Sequence, residues 1–103
     1  MVDPELDELR REFLAESADK AREMEAGVDG GRSQQSLERV IHLAHQLKGS
    51  GGSYGFERIS TEAAEVEKVA ERLLRGENDA LESVRTHVAN LREEIEKQAK
   101  ALG

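Results

Sequence analysis

Apolar residues recur along this chain every three to four positions, with charged residues between them, over most of its length. That is the period of helices that each bury one face. In the first segment the stripe is Leu6, Leu9, Phe13, Ala18, Ala21 and Met24. Asp3 followed by Pro4 supplies an N-cap residue and a proline at the first helical position. Gly27 is expected to end this helix, and Val28-Asp29-Gly30-Gly31-Arg32 to form a loop. A second helix is predicted to start near Ser33, with Leu37, Val40, Ala44 and Leu47 on its stripe and Ile41 and Leu43 at the edges.

Gly55 is expected to end the second helix. The third carries Ile59, Ala63, Val66, Ala70 and Leu73, and Gly76 closes it. Asn78 is a candidate N-cap for the fourth, whose stripe is Leu81, Val84, Val88, Leu91, Ile95 and Leu102. The predicted helices cover roughly 4–27, 33–53, 57–75 and 78–102. Short loops between four amphipathic helices predict an all-α, antiparallel up-down four-helix bundle, with residues 1–103 as one domain. A coiled-coil oligomer competes for the fourth helix; the short loops and the glycines of the second favour the intramolecular bundle.

Composition narrows the chemistry. There is no Trp, one Tyr and two Phe, so the core is aliphatic and a large aromatic-lined pocket is not expected. The net charge of −7 argues against a nucleic-acid partner and against an anionic membrane surface. The absence of cysteine excludes disulfides, thiolate metal sites and thiol nucleophiles. The start, MVDPELDEL, is acidic where a signal peptide is basic and then apolar, and no apolar run reaches membrane-spanning length. A cytoplasmic location is the expectation.

The informative segment is His42-Leu43-Ala44-His45-Gln46-Leu47-Lys48-Gly49-Ser50-Gly51-Gly52-Ser53-Tyr54-Gly55-Phe56. With His45 at zero on a helical wheel, Gly49 falls about 40° to one side. Gly52 falls about 20° to the other, and Lys48 about 60° in that same direction. Val40, Leu43 and Leu47 all lie more than about 130° away. A histidine, a lysine and two glycines therefore share the outward face. Each interior glycine costs a helix about 0.8–1 kcal/mol relative to alanine. Gly51 falls on the apolar side and suits close helix packing. Gly49 and Gly52 lie beside His45, where a missing side chain opens space for a docking domain. Lys48, one turn away, is placed to neutralise an anionic group on the imidazole.

The run HQLKGSGGSYGF resembles the phosphoacceptor segment of histidine-containing phosphotransfer (HPt) domains. It is particularly similar to the N-terminal phosphotransfer domain of chemotaxis histidine kinases. The resemblance extends to helix order, loop positions and the first helix around Glu12-Phe13-Leu14-Ala15-Glu16. It implies a phosphorelay carrier whose phosphoacceptor is His45, with Lys48 and Gly49 flanking it. In the chemotaxis branch an acidic residue of the next helix hydrogen-bonds the acceptor ring, and the matching position is Glu67. Ala64 departs from that branch, where a second histidine can occur. The implied partners are a histidine kinase and the receiver domain of a response regulator or hybrid kinase. The carrier is expected to act as a monomer that is not itself an enzyme and to hold no cofactor, with Mg²⁺ on the partner. The kinase and regulatory domains of such enzymes are not present, which implies a carrier; an excised kinase domain remains an open reading. A scaffold or interaction module is the alternative from another class.

Other candidates are weaker. His42 precedes His45 by one turn and is read as a surface residue. Glu38, His42 and His45 share a helix side, but the spacing matches neither HExxH nor the Glu-x-x-His pair of carboxylate-bridged bundles, so no metal is expected. His87, beside Val88, is read as an exposed or partly satisfied edge residue. GSGGSYG lacks the GKS or GKT ending of a phosphate-binding loop. Tyr54 and Phe56 are expected to pack where the second helix ends.

Overall fold

The computed structural model describes residues 3–30 and 33–103. Four helices run α1 Pro4–Asp29, α2 Gln34–Ser53, α3 Glu57–Leu74 and α4 Leu81–Leu102, with one 3-10 turn, Asn78–Ala80, before α4. Each helix packs on its two neighbours and not on the helix across the diagonal. Cross-helix contacts set the directions. Val40 lies against Gly27 while Tyr54 stacks on Phe13, so α1 and α2 are antiparallel. Lys48 meets Ser60 while His45 meets Glu67, which makes α2 and α3 antiparallel. Glu62 meets His87 while Arg58 meets Glu94, reversing α4 again. Arg11 reaches the Leu102 carbonyl as Asp29 reaches Arg85, closing the square. This is the all-α, up-down four-helix arrangement that the apolar periods predict.

Local chemistry sets the ends. The Asp3 carboxylate accepts from the Glu5 and Leu6 backbone N–H groups at 3.0 and 3.3 Å, ahead of Pro4. The Ser33 hydroxyl accepts from Ser36 N–H at 3.1 Å. At the far ends of α2 and α3 the chain turns through Gly55 (φ +84°) and Gly76 (φ +92°), in the left-handed region that favours glycine. Phe56 N–H bonds Gly51 O and Gly55 N–H bonds Gly52 O; Glu77 with Arg72 and Gly76 with Leu73 repeat the pattern. Both are Schellman closures.

Several details differ from the sequence expectation. Asn78 opens the 3-10 turn, and no side-chain bond caps that turn. Arg72 closes the connection instead, bridging Glu77 at 3.2 Å and Asp79 at 3.0 Å. The Glu77 hydrogen bond, then the Asp79 charge, raises the Arg72 pKa above its ordinary value. Helix α1 continues through Val28 and Asp29, which were expected in the loop; Val28 is buried and Asp29 pairs with Arg85. Of the rest of that expected loop, Gly30 caps the helix, its N–H bonding Ala26 O at 2.9 Å, and Gly31 and Arg32 lie outside the described residues. Leu9 is 47% exposed, because the buried stripe of α1 is Phe13, Leu14, Ser17, Ala21, Met24 and Val28. Leu9 falls about 90° from the centre of that stripe. Ser17 is tolerated there because its hydroxyl donates to Phe13 O at 2.7 Å. Leu43 belongs to the core rather than to its edge.

The core is aliphatic, with Phe13 its one aromatic member. Tyr54 and Phe56 stack on Phe13 at centroid distances of 4.9 and 5.8 Å, sealing the bundle where α2 ends. No helix among the described residues is long and apolar enough to cross a membrane. Two leucines separate these packing environments experimentally. Leu91→Ala, at a fully buried position, should destabilise the fold by about 2–5 kcal/mol in urea unfolding. Leu9→Ala should change it by less than about 0.5 kcal/mol.

Candidate functional site

Helix α2 has one face in the core and one face bare. Leu37, Val40, Leu43, Ala44, Leu47 and Gly51 are buried. On the opposite side the His45 side chain is 68% exposed. A Cβ built on Gly49 would meet no atom within 4 Å, and one on Gly52 would meet only the Ser60 hydroxyl, at 3.7 Å. One on Gly51 would lie 3.1 Å from Ser60 N and 3.2 Å from Ile59 Cγ2. The glycine cluster therefore does two things. Gly51 lets α3 approach closely, while Gly49 and Gly52 leave the surface beside His45 open.

Helix α3 supplies the carboxylate. Glu67 sits at the α2 edge of α3, next to the buried Val66. Its Oε2 lies 2.9 Å from His45 Nδ1 and its Oε1 lies 3.6 Å from Lys48 Nζ. Its side chain is 17% exposed, against 49% for Lys48. One half-buried carboxylate thus holds both cationic or donor groups of the open face. A carboxylate that is ionised only accepts, so a neutral imidazole held in this bond would donate from Nδ1 and carry its lone pair on Nε2. The Ser60 hydroxyl, on the same side of α3, donates to Lys48 O at 2.6 Å.

The structure brings His45, Lys48 and Glu67 together and leaves Gly49 and Gly52 beside them. His42 does not join them; its Nε2 lies 3.2 Å from the Gln46 amide nitrogen. Glu38 accepts from Gln34 at 3.0 Å. Among the described residues no group of three or more His, Asp or Glu is arranged to hold a metal ion.

Two features are not apparent in the residue spacing. His87 Nδ1 is 2.9 Å from Glu62 Oε2, in a second histidine–carboxylate pair between α3 and α4. The two pairs share a distance and differ in access: the His87 side chain is 26% exposed, and neither glycine nor lysine stands next to it on its helix. Ser60 is the other. A serine on an amphipathic helix gives no sign of a cross-helix bond, although its seven-residue interval from Glu67 places both on one side of α3.

No curated protein and no solved structure matches the chain significantly. The family model described as Hpt domain matches residues 8–100, a span that holds α2, α3 and most of α1 and α4, with the whole His45 face. The chain belongs to the Hpt domain family, the histidine phosphotransfer domains of phosphorelays.

Proposed function

We propose that residues 1–103 form one carrier domain that accepts a phosphoryl group on His45 Nε2 and delivers it to the aspartate of a receiver domain. The observation that supports this most is the Glu67–His45 hydrogen bond of 2.9 Å beneath an otherwise open imidazole. It leaves the ring with a proton on the inner nitrogen and a lone pair on the outer one.

Transfer then needs few parts. The Nε2 lone pair attacks phosphorus in line. The bond from phosphorus to the donor oxygen breaks, and that oxygen keeps the electron pair. The ring gains positive charge as the P–N bond forms, and the Glu67 carboxylate at Nδ1 stabilises it. The proton stays on Nδ1 throughout. In the return step the receiver's aspartate oxygen attacks phosphorus and the neutral imidazole leaves. Lys48 steadies the phosphoryl oxygens, and Gly49 and Gly52 admit the partner. Positioning and charge neutralisation supply most of the assistance. Mg²⁺ and the acidic pocket belong to the receiver or the kinase, so this chain acts as carrier and its partners complete the chemistry.

Labelled phosphoryl transfer from a cognate kinase or phosphorylated receiver tests the assignment. His45→Gln should take no label; label retained by that variant would place the acceptor elsewhere. Gly49→Gln fills open space, so its folding should be close to that of wild type, while transfer to the receiver should slow by at least about tenfold. Unchanged transfer by Gly49→Gln would remove the access role of that glycine.

A further inference from the structure

The cross-helix bond of Ser60 has no place in the transfer chemistry, yet it joins the two helices that must cooperate in it. Ser60 Oγ donates to Lys48 O at 2.6 Å, the shortest way in which α3 grips the α2 backbone near the site. Beside it, α3 backbone lies so close to Gly51 that a Cβ there would be 3.1 Å from Ser60 N. This contact and the hydrogen bond together form a fixed point between α2 and α3. Helix rise puts Glu67 about 10 Å further along α3, seven residues and almost two whole turns from Ser60. His45 lies six residues back from Gly51 in the antiparallel direction, at the same level as Glu67.

We infer that Ser60, seated against Gly51, is a positioning residue that sets the reach of Glu67 to His45 and so fixes which imidazole nitrogen is free. A glutamate side chain reaching 2.9 Å to a ring nitrogen tolerates little error in its helix. A slide of α3 by one residue moves its backbone about 1.5 Å and turns Glu67 about 100° away. The hydroxyl resists that slide because Lys48 O is a fixed acceptor on the partner helix. The bond also bears on Lys48 itself. It holds the backbone of the residue whose ammonium shares the Glu67 carboxylate at 3.6 Å. Glu67 Oε1 and Oε2 thus each bind a group whose helix Ser60 holds in register. The rate part of this inference rests on the proposed phosphoacceptor role of His45; the tautomer part does not.

The test uses the intact chain and needs no partner protein. Nitrogen NMR of ¹⁵N-histidine-labelled protein reads the His45 tautomer, and phosphoramidate serves as a small phosphoryl donor. Ser60→Ala should keep its helix content and cooperative melting but lose part of the Nδ1–H population. It should also slow His45 phosphorylation by about threefold to tenfold. Gly51→Ala, which must push α3 outward, should show the same signature. Ser60→Thr keeps the hydroxyl and should restore both readouts. Thr61→Ala removes a hydroxyl that bonds Glu57 O within its own helix at 2.9 Å, and should change neither. In a Glu67→Gln background, Ser60→Ala should give no further slowing. An unchanged tautomer population in Ser60→Ala overturns the inference, as does slowing that persists undiminished in the Glu67→Gln background. If wild-type His45 takes no phosphoryl group from phosphoramidate, the phosphoacceptor role fails, and the tautomer measurement still decides the role of Ser60.

Discussion

The Glu67 carboxylate can hold His45 only because α2 and α3 approach closely, and they approach closely because position 51 has no side chain. At that point the α3 backbone occupies the space a Cβ would need. Ile59 lies against Gly51 at this contact, and Ala63, Val66 and Ala70 of α3 are buried in one core with Val40, Ala44 and Leu47 of α2. The site is a by-product of this packing. The carboxylate sits one position past the buried Val66, at the edge of the packed face and within reach of the exposed face of α2. Each interior glycine of α2 disfavours the helix by about 0.8–1 kcal/mol relative to alanine. The core on the opposite face and the Gly55 closure offset that cost.

Much of this was legible in the residues. The wheel around His45 depends only on the 100° step of a helix. Once α2 is helical, Lys48, Gly49 and Gly52 must share its outer face. Gly55 and Gly76 are also readable, since a glycine directly after an amphipathic run is a common left-handed helix end. Leu9 and Val28 were not readable in the same way. Both are apolar and both fit a helical period near the ends of α1, but which of them is buried depends on where the neighbouring helices pack. Val28 is covered because α4 extends alongside it, whereas Leu9 lies to the side of the packed stripe. Ser60 and the Glu62–His87 pair are purely cross-helix features. Helical periods assign a residue to a face, but they do not say which atom on the next helix it meets.

The two histidine–carboxylate pairs differ in the access they give to the ring. The same 2.9 Å geometry occurs at Glu62–His87, where the ring is part of a helix–helix joint. At His45 the same bond sits under an exposed ring with bare helix backbone beside it and a lysine within reach of the same carboxylate. Orientation of the ring is common to both; room for a partner is found at His45. A carrier in the proposed relay must present its histidine to more than one protein, and an open convex face serves that need better than a pocket would.

The central claim is that Glu67 holds the proton of Nδ1 and leaves Nε2 of His45 as the phosphorus-bonding atom. Phosphorylated protein labelled with ¹⁵N-histidine, observed by phosphorus–nitrogen coupling, reads that atom directly. The account predicts one coupled nitrogen, Nε2 of His45, with Nδ1 still protonated. Coupling to Nδ1, or to a nitrogen of His42 or His87, would contradict it.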